Sequence, residues 1–338
     1  NDDYGPWFDD TMRAGHGENR AESVDTMIWS SRDIINDLIR RGVSFDKRED
    51  GRLAYTREGA HSRPRVLHHA DDTGREITTT LLARALELPN LRLLEWHTMV
   101  DLLVSDEGGC EGVVCRTRGD DVLAIRATDT ILAAGGVGGL YERSTNFSCM
   151  TGDACRICKE HGITLEHMDY VQFHPTSLYT GSTGRAFLIS ESCRGEGAVL
   201  LNAKGERFVD ELQPRDVVSA AVYRQMREDG LPFVRLSFER IPRGVTCRHF
   251  RNIRERCLEE GYDICEGPIP VAPAQHYLMG GIRVDQDSRS SMEHLYAVGE
   301  TSCSGVHGRN RLASNSLLES LVFSRLAARD IVRRRHRA

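Results

Sequence analysis

Long hydrophobic runs are missing from this sequence. No segment approaches the roughly 18 consecutive apolar residues that a membrane-spanning helix needs, and no signal peptide opens the chain. The ten cysteines lack the regular spacing of a disulfide framework, which favours reduced thiols in a reducing compartment. We therefore expect a cytoplasmic protein that has no membrane partner.

A second pair of closely spaced cysteines is missing as well. Cys155 and Cys158 form a lone C-x-x-C motif on a predicted helix, and the sequence has no second such pair to complete a four-cysteine zinc site. We expect no metal site here.

Charge of one sign is not in excess. A net charge of −6 over 338 residues gives no reason to expect nucleic acid or an acidic membrane surface as a partner. The basic stretch 333–337 is the exception, and a solvated helix end, or the place where a longer protein was cut, is favoured over a binding tail. The length exceeds the roughly 250–300 residues at which a single core stops growing, so we expect two domains.

No G-x-G-x-x-G motif, which holds a dinucleotide pyrophosphate at a helix N-terminus, precedes the first predicted helix. The chain begins at Asn1 rather than Met and opens in mid-pattern, so we expect an excerpt or a truncated gene product. Gly135 and Gly136 open the run G-G-V-G-G after a predicted strand. On spacing alone, a nucleotide-binding turn and an ordinary strand-to-loop connection both remain open.

Apolar periodicity predicts helices on both sides of a strand-rich block. The predicted elements are a helix from Val24 to Ile39 closed by Gly42, a helix over 75–88 that halts at Pro89, strands in the runs 91–96, 99–104, 112–117, 122–127 and 129–134, a helix over 216–228 that follows Pro214, and a helix from Ser314 onward.

The stretch 299–319 concentrates glycine, arginine, histidine and carboxylate side chains just before and within the start of the last predicted helix. Arg309 and Arg311 offer planar forks that suit a carboxylate or a phosphate. The free N–H groups and the dipole of the helix N-terminus favour an anionic or electron-rich ligand. We therefore predict a ligand site at this point of the chain.

Five further segments place arginine, histidine or carboxylate side chains next to glycine or proline, and each could be purely structural. They are T-R-E-G-A-H-S (56–62), Q-F-H-P-T (172–176), S-E-S-C-R-G-E-G-A (190–198), Q-P-R-D (213–216) and A-Q-H-Y-L-M-G-G-I (274–282). Their joint occurrence in this order, followed by Y-A-V-G-E and H-G-R-N-R-L-A-S-N-S-L-L-E, resembles the flavoprotein subunits of the succinate dehydrogenase and fumarate reductase superfamily across nearly the whole chain. The stretch 56–76 is most similar to the L-aspartate oxidase family within it.

The resemblance implies an α/β fold with an α+β insertion. An FAD-binding Rossmann-like domain that lacks its N-terminal glycine-rich unit is expected over 1–168 and 277–338, and a capping domain that carries substrate groups is expected to interrupt it over 169–276. The helical C-terminal domain of the superfamily is expected to be absent.

The same resemblance implies which residues form the site. The two carboxylates of the substrate are expected to bind His174, His276 and Arg311, with Ser190 and Glu191 completing the pocket. Arg215 matches the residue that transfers the proton. Because a guanidinium resists deprotonation, Arg215 either acts as a base in a basic, dry cluster with Arg207, Asp210 and Asp216, or only stabilises developing charge.

The cofactor implied by the resemblance is FAD. The expected FAD contacts are Asp153, Glu300, Asn315, Ser316 and Leu317, with Gly135 and Gly136. A hydride would pass from the α-carbon of aspartate to the flavin, giving iminoaspartate, and O2 or fumarate would then take the electrons. This is the first step of NAD biosynthesis through quinolinate, and quinolinate synthase is the implied downstream partner.

Glu58 is the residue that discriminates within the superfamily. It stands where the succinate and fumarate enzymes have Gln, and a substrate ammonium needs a negative partner, whereas an amine-free dicarboxylate would be repelled by one. Two alternatives remain open, namely a soluble fumarate reductase or succinate dehydrogenase flavoprotein, and a remnant that binds dicarboxylates without flavin.

Overall fold

The computed structural model describes residues 4–70, 72–181 and 184–336. The helices in these residues are α1 (Tyr4–Ala14), α2 (Ala21–Arg41), α3 (Thr73–Leu86), α4 (Asp153–Glu160), α5 (Glu191–Gly195), α6 (Arg215–Asp229), α7 (Arg243–His249), α8 (Arg251–Glu259) and α9 (Asn315–Arg335). The strands are β1 (Tyr55–Thr56), β2 (Val66–Leu67), β3 (His97–Val104), β4 (Cys110–Thr117), β5 (Val122–Arg126), β6 (Thr130–Leu132), β7 (Arg143–Ser144), β8 (Leu165–Glu166), β9 (Val171–Leu178), β10 (Gly184–Arg185), β11 (Val199–Leu201), β12 (Val234–Ser237), β13 (Ile269–Leu278), β14 (Gly281–Arg283), β15 (Leu295–Ala297) and β16 (Ser302–Cys303).

The predicted helices are confirmed as α2, α3, α6 and α9, and their ends lie close to the residues that the sequence indicates. Helix α2 stops at Gly42, whose φ of 104° is left-handed, and the Gly42 N–H donates to the carbonyl of Ile39. Helix α6 begins directly after Pro214, whose ring suits a helix start. Helix α9 begins one residue after Ser314, so the polar stretch before it does lie at a helix N-terminus.

The strand-rich block is confirmed in four of its five runs. Strands β3, β4 and β5 form an antiparallel sheet, and β6 pairs in parallel with β15. The predicted strand over 91–96 is wrong, since this segment forms no strand. Its apolar side chains are exposed, and Trp96 takes a left-handed φ of 62°, so a hydrophobic run without a pairing partner becomes a turn.

The largest sheet has the order β10-β7-β13-β12-β11, with β9 paired to β13. Strands β9 and β13 are antiparallel, and His174 lies opposite Ala274 in their register. The register shifts between Gln275 and Tyr277, which places His276 at an irregular step of β13. A bulge of this kind changes the direction of a side chain. Here the centroids of the His174 and His276 rings lie 5.2 Å apart.

Apolar side chains gather in separate cores. One core lies within 178–271 and packs β9, β11, β12 and β13 against helices α6 and α8, whereas a second joins β3, β6, α4 and β15. A third core packs α2 against α9. Strand β13 runs through the expected domain boundary at 276/277, so the backbone there is continuous between the two parts.

Carboxylates hold the basic end of α9 to the rest of the fold. Arg333 contacts Asp287 at 2.9 Å, and Arg334 contacts Glu293 at 2.9 Å. None of the helices in the described part of the chain is long and apolar enough to cross a membrane.

Candidate active site

A cavity lies where three segments that are distant in sequence meet. The loop after β1 provides Gly59 and Ala60, the start of α6 provides Arg215 with Glu191 beside it, and the segment before α9 provides Arg311. The resemblance implies that Glu58, Glu191, Arg215 and Arg311 belong to one site. In the structure, the segments that carry these residues lie together around this cavity.

Two neutral imidazoles lie near Arg215. His174 is buried and His276 is half-buried, and desolvation followed by the charge of Arg215 holds the pKa of both rings well below 6.5. The Nδ1 atom of His174 lies 3.2 Å from the backbone nitrogen and 3.1 Å from the carbonyl oxygen of Thr176, while its buried Nε2 has no partner among the described residues. Thr145 Oγ1 lies 2.7 Å from His276 Nδ1 and fixes that ring. A buried ring nitrogen without a partner fits a polar group of a ligand.

Two buried guanidinium groups provide the positive charge. Arg311 donates from Nη1 to Ser316 Oγ at 2.8 Å and lies over the Tyr277 ring at 4.8 Å, and its buried Nε has no partner in the described chain. Burial and then the charge of Arg215 lower the pKa of Arg311 to about 10, so it remains a cation at neutral pH. Arg215 Nη1 donates to Gln172 Oε1 at 3.1 Å.

Glu191 is an ion-paired carboxylate. Arg215 donates to it from Nε at 2.6 Å, and Arg194 Nη2 lies 3.1 Å from its other oxygen. Burial by itself raises the pKa of Glu191, but the two guanidinium groups outweigh burial and leave that pKa below its usual value. Glu191 is therefore charged and neutralised within the protein.

Glu58 is half-buried and lacks guanidinium partners of this kind. The Ser314 hydroxyl donates to Glu58 Oε2 at 2.9 Å, and no ion pair to this carboxylate is present among the residues that the structure describes. Burial and the nearby charge of Glu191 raise the pKa of Glu58, although Arg215 and Arg311 act in the opposite direction. The site thus contains one carboxylate that lacks a cation.

The residues expected to contact FAD lie on a different side of Arg311. An added Cβ on Gly136 would meet Glu300 Oε1 at 2.1 Å, so only glycine lets the 135–139 turn approach that carboxyl. Burial raises the pKa of Glu300 to about 7, and its Oε1 accepts from the Leu278 N–H. Asp153 opens helix α4 directly after Gly152, where an added Cβ would meet Val137 of the same turn at 2.8 Å.

The first turn of α9 adds N–H donors from Ser316 and Leu317. The Asn315 side chain is turned toward α1, where it bonds to Trp7 and Thr11, so only its backbone is available on the flavin side. Glycine backbone, carboxyl acceptors and helix N–H donors match the hydroxyl groups and the electron-rich ring edge of a flavin, so the residues present fit FAD.

Several supporting residues differ from the expectation. Arg207 pairs with Glu211 and Asp216 pairs with His16, so neither supports Arg215. Arg309 is exposed and pairs with Glu18 at 3.0 Å, so Arg311 is the arginine of its pair that reaches the cavity.

Sequence reasoning missed Gln172, Arg194 and His61 as individual residues. Gln172 bonds to both Arg215 and the Arg311 carbonyl. All three lie in the motifs already singled out, and a count of buried partners for each charge would have found them. No group of three or more metal-ligand side chains occurs in the described residues.

Comparisons with known proteins identify the family of the chain. A family model described as an FAD binding domain matches residues 1–317. L-Aspartate oxidase from Clostridium perfringens is 46% identical over 331 residues, which cover 98% of this chain and 75% of the relative. The chain belongs to the L-aspartate oxidase family. A relative with the same name from Neisseria meningitidis is 40% identical and is covered over 67% of its length.

The fold of this L-aspartate oxidase family member also matches solved structures. A quinol fumarate reductase variant from E. coli superposes with a TM-score of 0.90 at 33% identity, over 96% of this chain and 59% of the other. A flavocytochrome c3 fumarate reductase in an open conformation gives a TM-score of 0.73 at 25% identity. The chain therefore spans about three quarters of the clostridial relative and about three fifths of the fumarate reductase chain.

Proposed function

We propose that the chain carries the substrate site of an FAD-dependent L-aspartate oxidase, which oxidises L-aspartate to iminoaspartate. The observation that supports this most is Glu58, a half-buried carboxylate without an ion pair among the described residues, beside a cavity whose other carboxylate, Glu191, is already ion-paired. A ligand that pairs with Glu58 and also with Arg311, His174 and His276 has two carboxylates and one ammonium. A four-carbon amino diacid has this charge pattern.

Each group then has a distinct role. Arg311, His174 and His276 bind the two carboxylates, with the Ser190 hydroxyl beside Glu191 at the edge of the site, and Glu58 binds the ammonium. Arg215 faces the same cavity and takes a proton or stabilises developing charge, while Glu191 and Gln172 hold its guanidinium in place. Charge-assisted contacts of this type contribute about 1.5–3 kcal/mol each.

The cofactor-binding residues are proposed to be Gly135, Gly136, Asp153, Glu300, Ser316 and Leu317, with the backbone of Asn315. When bound, FAD supplies the acceptor for the hydride that leaves the α-carbon of the substrate. Ser316 links this group to the substrate side, because its hydroxyl accepts from Arg311.

The wider context of the reaction is also a proposal. O2 or fumarate takes the electrons, the reaction is the first step of NAD biosynthesis, and quinolinate synthase consumes the unstable imine. The ten cysteines are free thiols, in keeping with the reducing conditions of the cytoplasm. The domains follow the separate apolar cores, with an FAD-binding domain over 1–168 and 277–338 and a capping domain over 169–276.

A fumarate reductase or succinate dehydrogenase activity is the second candidate, because the fold superposes so well on a quinol fumarate reductase. The two candidates differ in how they treat the substrate amine. A carboxylate at position 58 favours an ammonium and disfavours amine-free succinate, whereas a fumarate reductase gains nothing from it.

Substrate preference tests the proposal. After incubation with FAD, we expect L-aspartate to be oxidised with a higher kcat/KM than succinate. Glu58→Gln should lower kcat/KM for aspartate about 10- to 100-fold and leave succinate unchanged or improved. Gln is the matched control, because it keeps the shape and a hydrogen-bonding oxygen while removing the charge. Faster turnover of succinate by the unmodified chain would refute the assignment, and failure to retain yellow flavin would favour the non-catalytic remnant.

A further inference from the structure

A buried chain of polar contacts begins behind the cavity, on helix α1. The Asp10 carboxylate accepts from the backbone N–H and the hydroxyl of Ser62, each at 2.7 Å, and from Arg65 Nη1 at 2.6 Å. The same Arg65 nitrogen lies 2.8 Å from His61 Nδ1. Asp10 and His61 are only 1% and 2% exposed, so these contacts are not surface ion pairs.

This arrangement fixes the tautomer of His61. A guanidinium can only donate, so Nδ1 of His61 is the acceptor and its proton is carried on Nε2. That Nε2 lies 3.0 Å from the Ala313 carbonyl and donates to it. Burial, the largest effect, lowers the pKa of His61 to about 4, so the ring stays neutral at working pH.

The contact made by His61 is one of two that join the same pair of segments. His61 donates to the Ala313 carbonyl, and the Ser314 hydroxyl donates to Glu58. Residues 58 and 61 of one loop thus meet residues 313 and 314 of the other. Because Arg311 lies just before Ala313, the two contacts set the distance between the Glu58 carboxylate and the Arg311 guanidinium.

The loop that carries His61 has little freedom to compensate for a loss of the contact between His61 and Ala313. Its turn is closed by Arg57, whose Nε donates to the His61 carbonyl at 2.8 Å. An added Cβ on Gly59 would lie 2.3 Å from Glu191 Oε1, so the loop already touches the ion-paired side of the cavity. The His61 ring is the side chain of this loop that contacts Ala313, so it restrains the spacing between the loop and the segment before α9.

We propose that His61, held by Arg65 and Asp10, is a positioning residue that sets the preference for amino-substituted over amine-free dicarboxylates. It does so by placing the ammonium partner Glu58 at a fixed distance from the carboxylate partner Arg311. This inference rests on the proposed function, since it assigns Glu58 to the substrate amine.

A pair of amide variants tests the proposal. In His61→Gln the side-chain amide reaches the position of Nε2 and still donates to Ala313, whereas in His61→Asn the amide is one methylene too short. The Gln amide takes the place of Nε2 and the Asn amide lies nearer the place of Nδ1 beside Arg65, and urea denaturation checks that both variants stay folded. Binding of L-aspartate and of succinate is measured by titration calorimetry on the FAD-loaded chain in reduced, oxygen-free form, in which aspartate is not oxidised, together with kcat/KM for both compounds under turnover conditions.

We expect His61→Asn to lower the affinity for aspartate about tenfold while succinate binding changes less than about twofold, and His61→Gln to keep most of the preference. Equal loss for both ligands, or no loss in His61→Asn, overturns the positioning role. Should the unmodified chain itself fail to prefer aspartate, the proposed function falls and this inference with it. A preference that is present in the unmodified chain and intact in His61→Asn removes this inference alone.

Discussion

Two glutamates beside the same cavity have opposite electrostatic surroundings. Glu191 lines the cavity, is 2% exposed and is held between Arg194 and Arg215, and these charges keep its pKa below the usual value despite burial. Glu58 is half-buried directly before the cavity-lining Gly59, receives one hydroxyl hydrogen bond, and has a raised pKa. The same side chain is thus ion-paired at one position and has no ion pair among the described residues at the other.

The difference shows how a buried charge can be interpreted. The charge of a carboxylate with two guanidinium partners is balanced within the protein, and the carboxylate holds those partners in place. A carboxylate without an ion pair gains most from a ligand that brings a cation. We therefore propose that Glu58 meets the cationic group of the substrate, whereas Glu191 already has its counter-charges within the protein.

The largest expected effect comes from Arg215, which contacts both Glu191 and Gln172. Lysine keeps the charge but cannot reach Glu191 and Gln172 together, so we expect Arg215→Lys to lower kcat for aspartate about 10²- to 10⁴-fold. The pH profile of the residual rate separates the two roles of Arg215. Rate recovered at high pH indicates a true base, and uniform loss at every pH indicates charge stabilisation.

Removing the charge of Glu191 should reduce folding stability. Glu191→Gln leaves two buried guanidinium groups without their counter-charge, and we expect the free energy of unfolding to fall by about 3–5 kcal/mol at pH 7. Urea denaturation measures it. Because the pKa of Glu191 is depressed in the fold, its contribution is present above the usual value of 4.5 and is lost as pH falls below it.

Glu58→Gln is the matched control for that measurement. It removes a half-buried carboxylate that has no ion pair among the described residues, so stability at pH 7 should be unchanged or raised by up to about 1 kcal/mol. Equal destabilisation by the two substitutions would contradict the comparison, since both glutamates would then be equally ion-paired.

The pH dependence of substrate preference sharpens the comparison further. As pH falls toward the raised pKa of Glu58, protonation removes the negative partner of the ammonium, so kcat/KM for aspartate should fall relative to succinate. Glu300, whose pKa burial raises to about 7, affects both substrates and therefore cancels in the ratio. Stopped-flow or steady-state rates for both compounds give the ratio, which should lose its pH dependence in Glu58→Gln.

The sequence allowed much of this to be predicted where local signals were strong. Gly42 and Pro214 marked helix ends, and the order of the motifs indicated the family and its site residues. The run 91–96 misled, because apolar composition alone does not reveal whether a strand has a partner. The bulge that re-aims His276 depends on register between distant strands, and that register is a tertiary property.

The contrast between the two glutamates was beyond the sequence for the same reason. Glu58 and Glu191 stand in similar glycine-containing motifs, and nothing local indicates which carboxylate meets two arginines. Arg194 lies three residues after Glu191 and within one turn of α5, yet Arg215 comes from a different helix. Only the packing of α6 beside β9 decides the outcome.

The smallest effect is expected at Ser190, which directly precedes the ion-paired Glu191. Its hydroxyl oxygen accepts from the Ser192 N–H at 3.3 Å and caps helix α5, and its backbone at φ −50° and ψ 145° accepts a β-branched residue without strain. Ser190→Thr keeps the cap and adds one methyl group, so we expect KM for aspartate to change less than about threefold, with slightly tighter positioning. Ser190→Ala removes the cap and should cost about 1 kcal/mol of stability in addition, as measured by urea denaturation. A large loss of activity in Ser190→Thr would mean that the methyl group enters the substrate volume, which would place Ser190 deeper in the site than its cap position indicates.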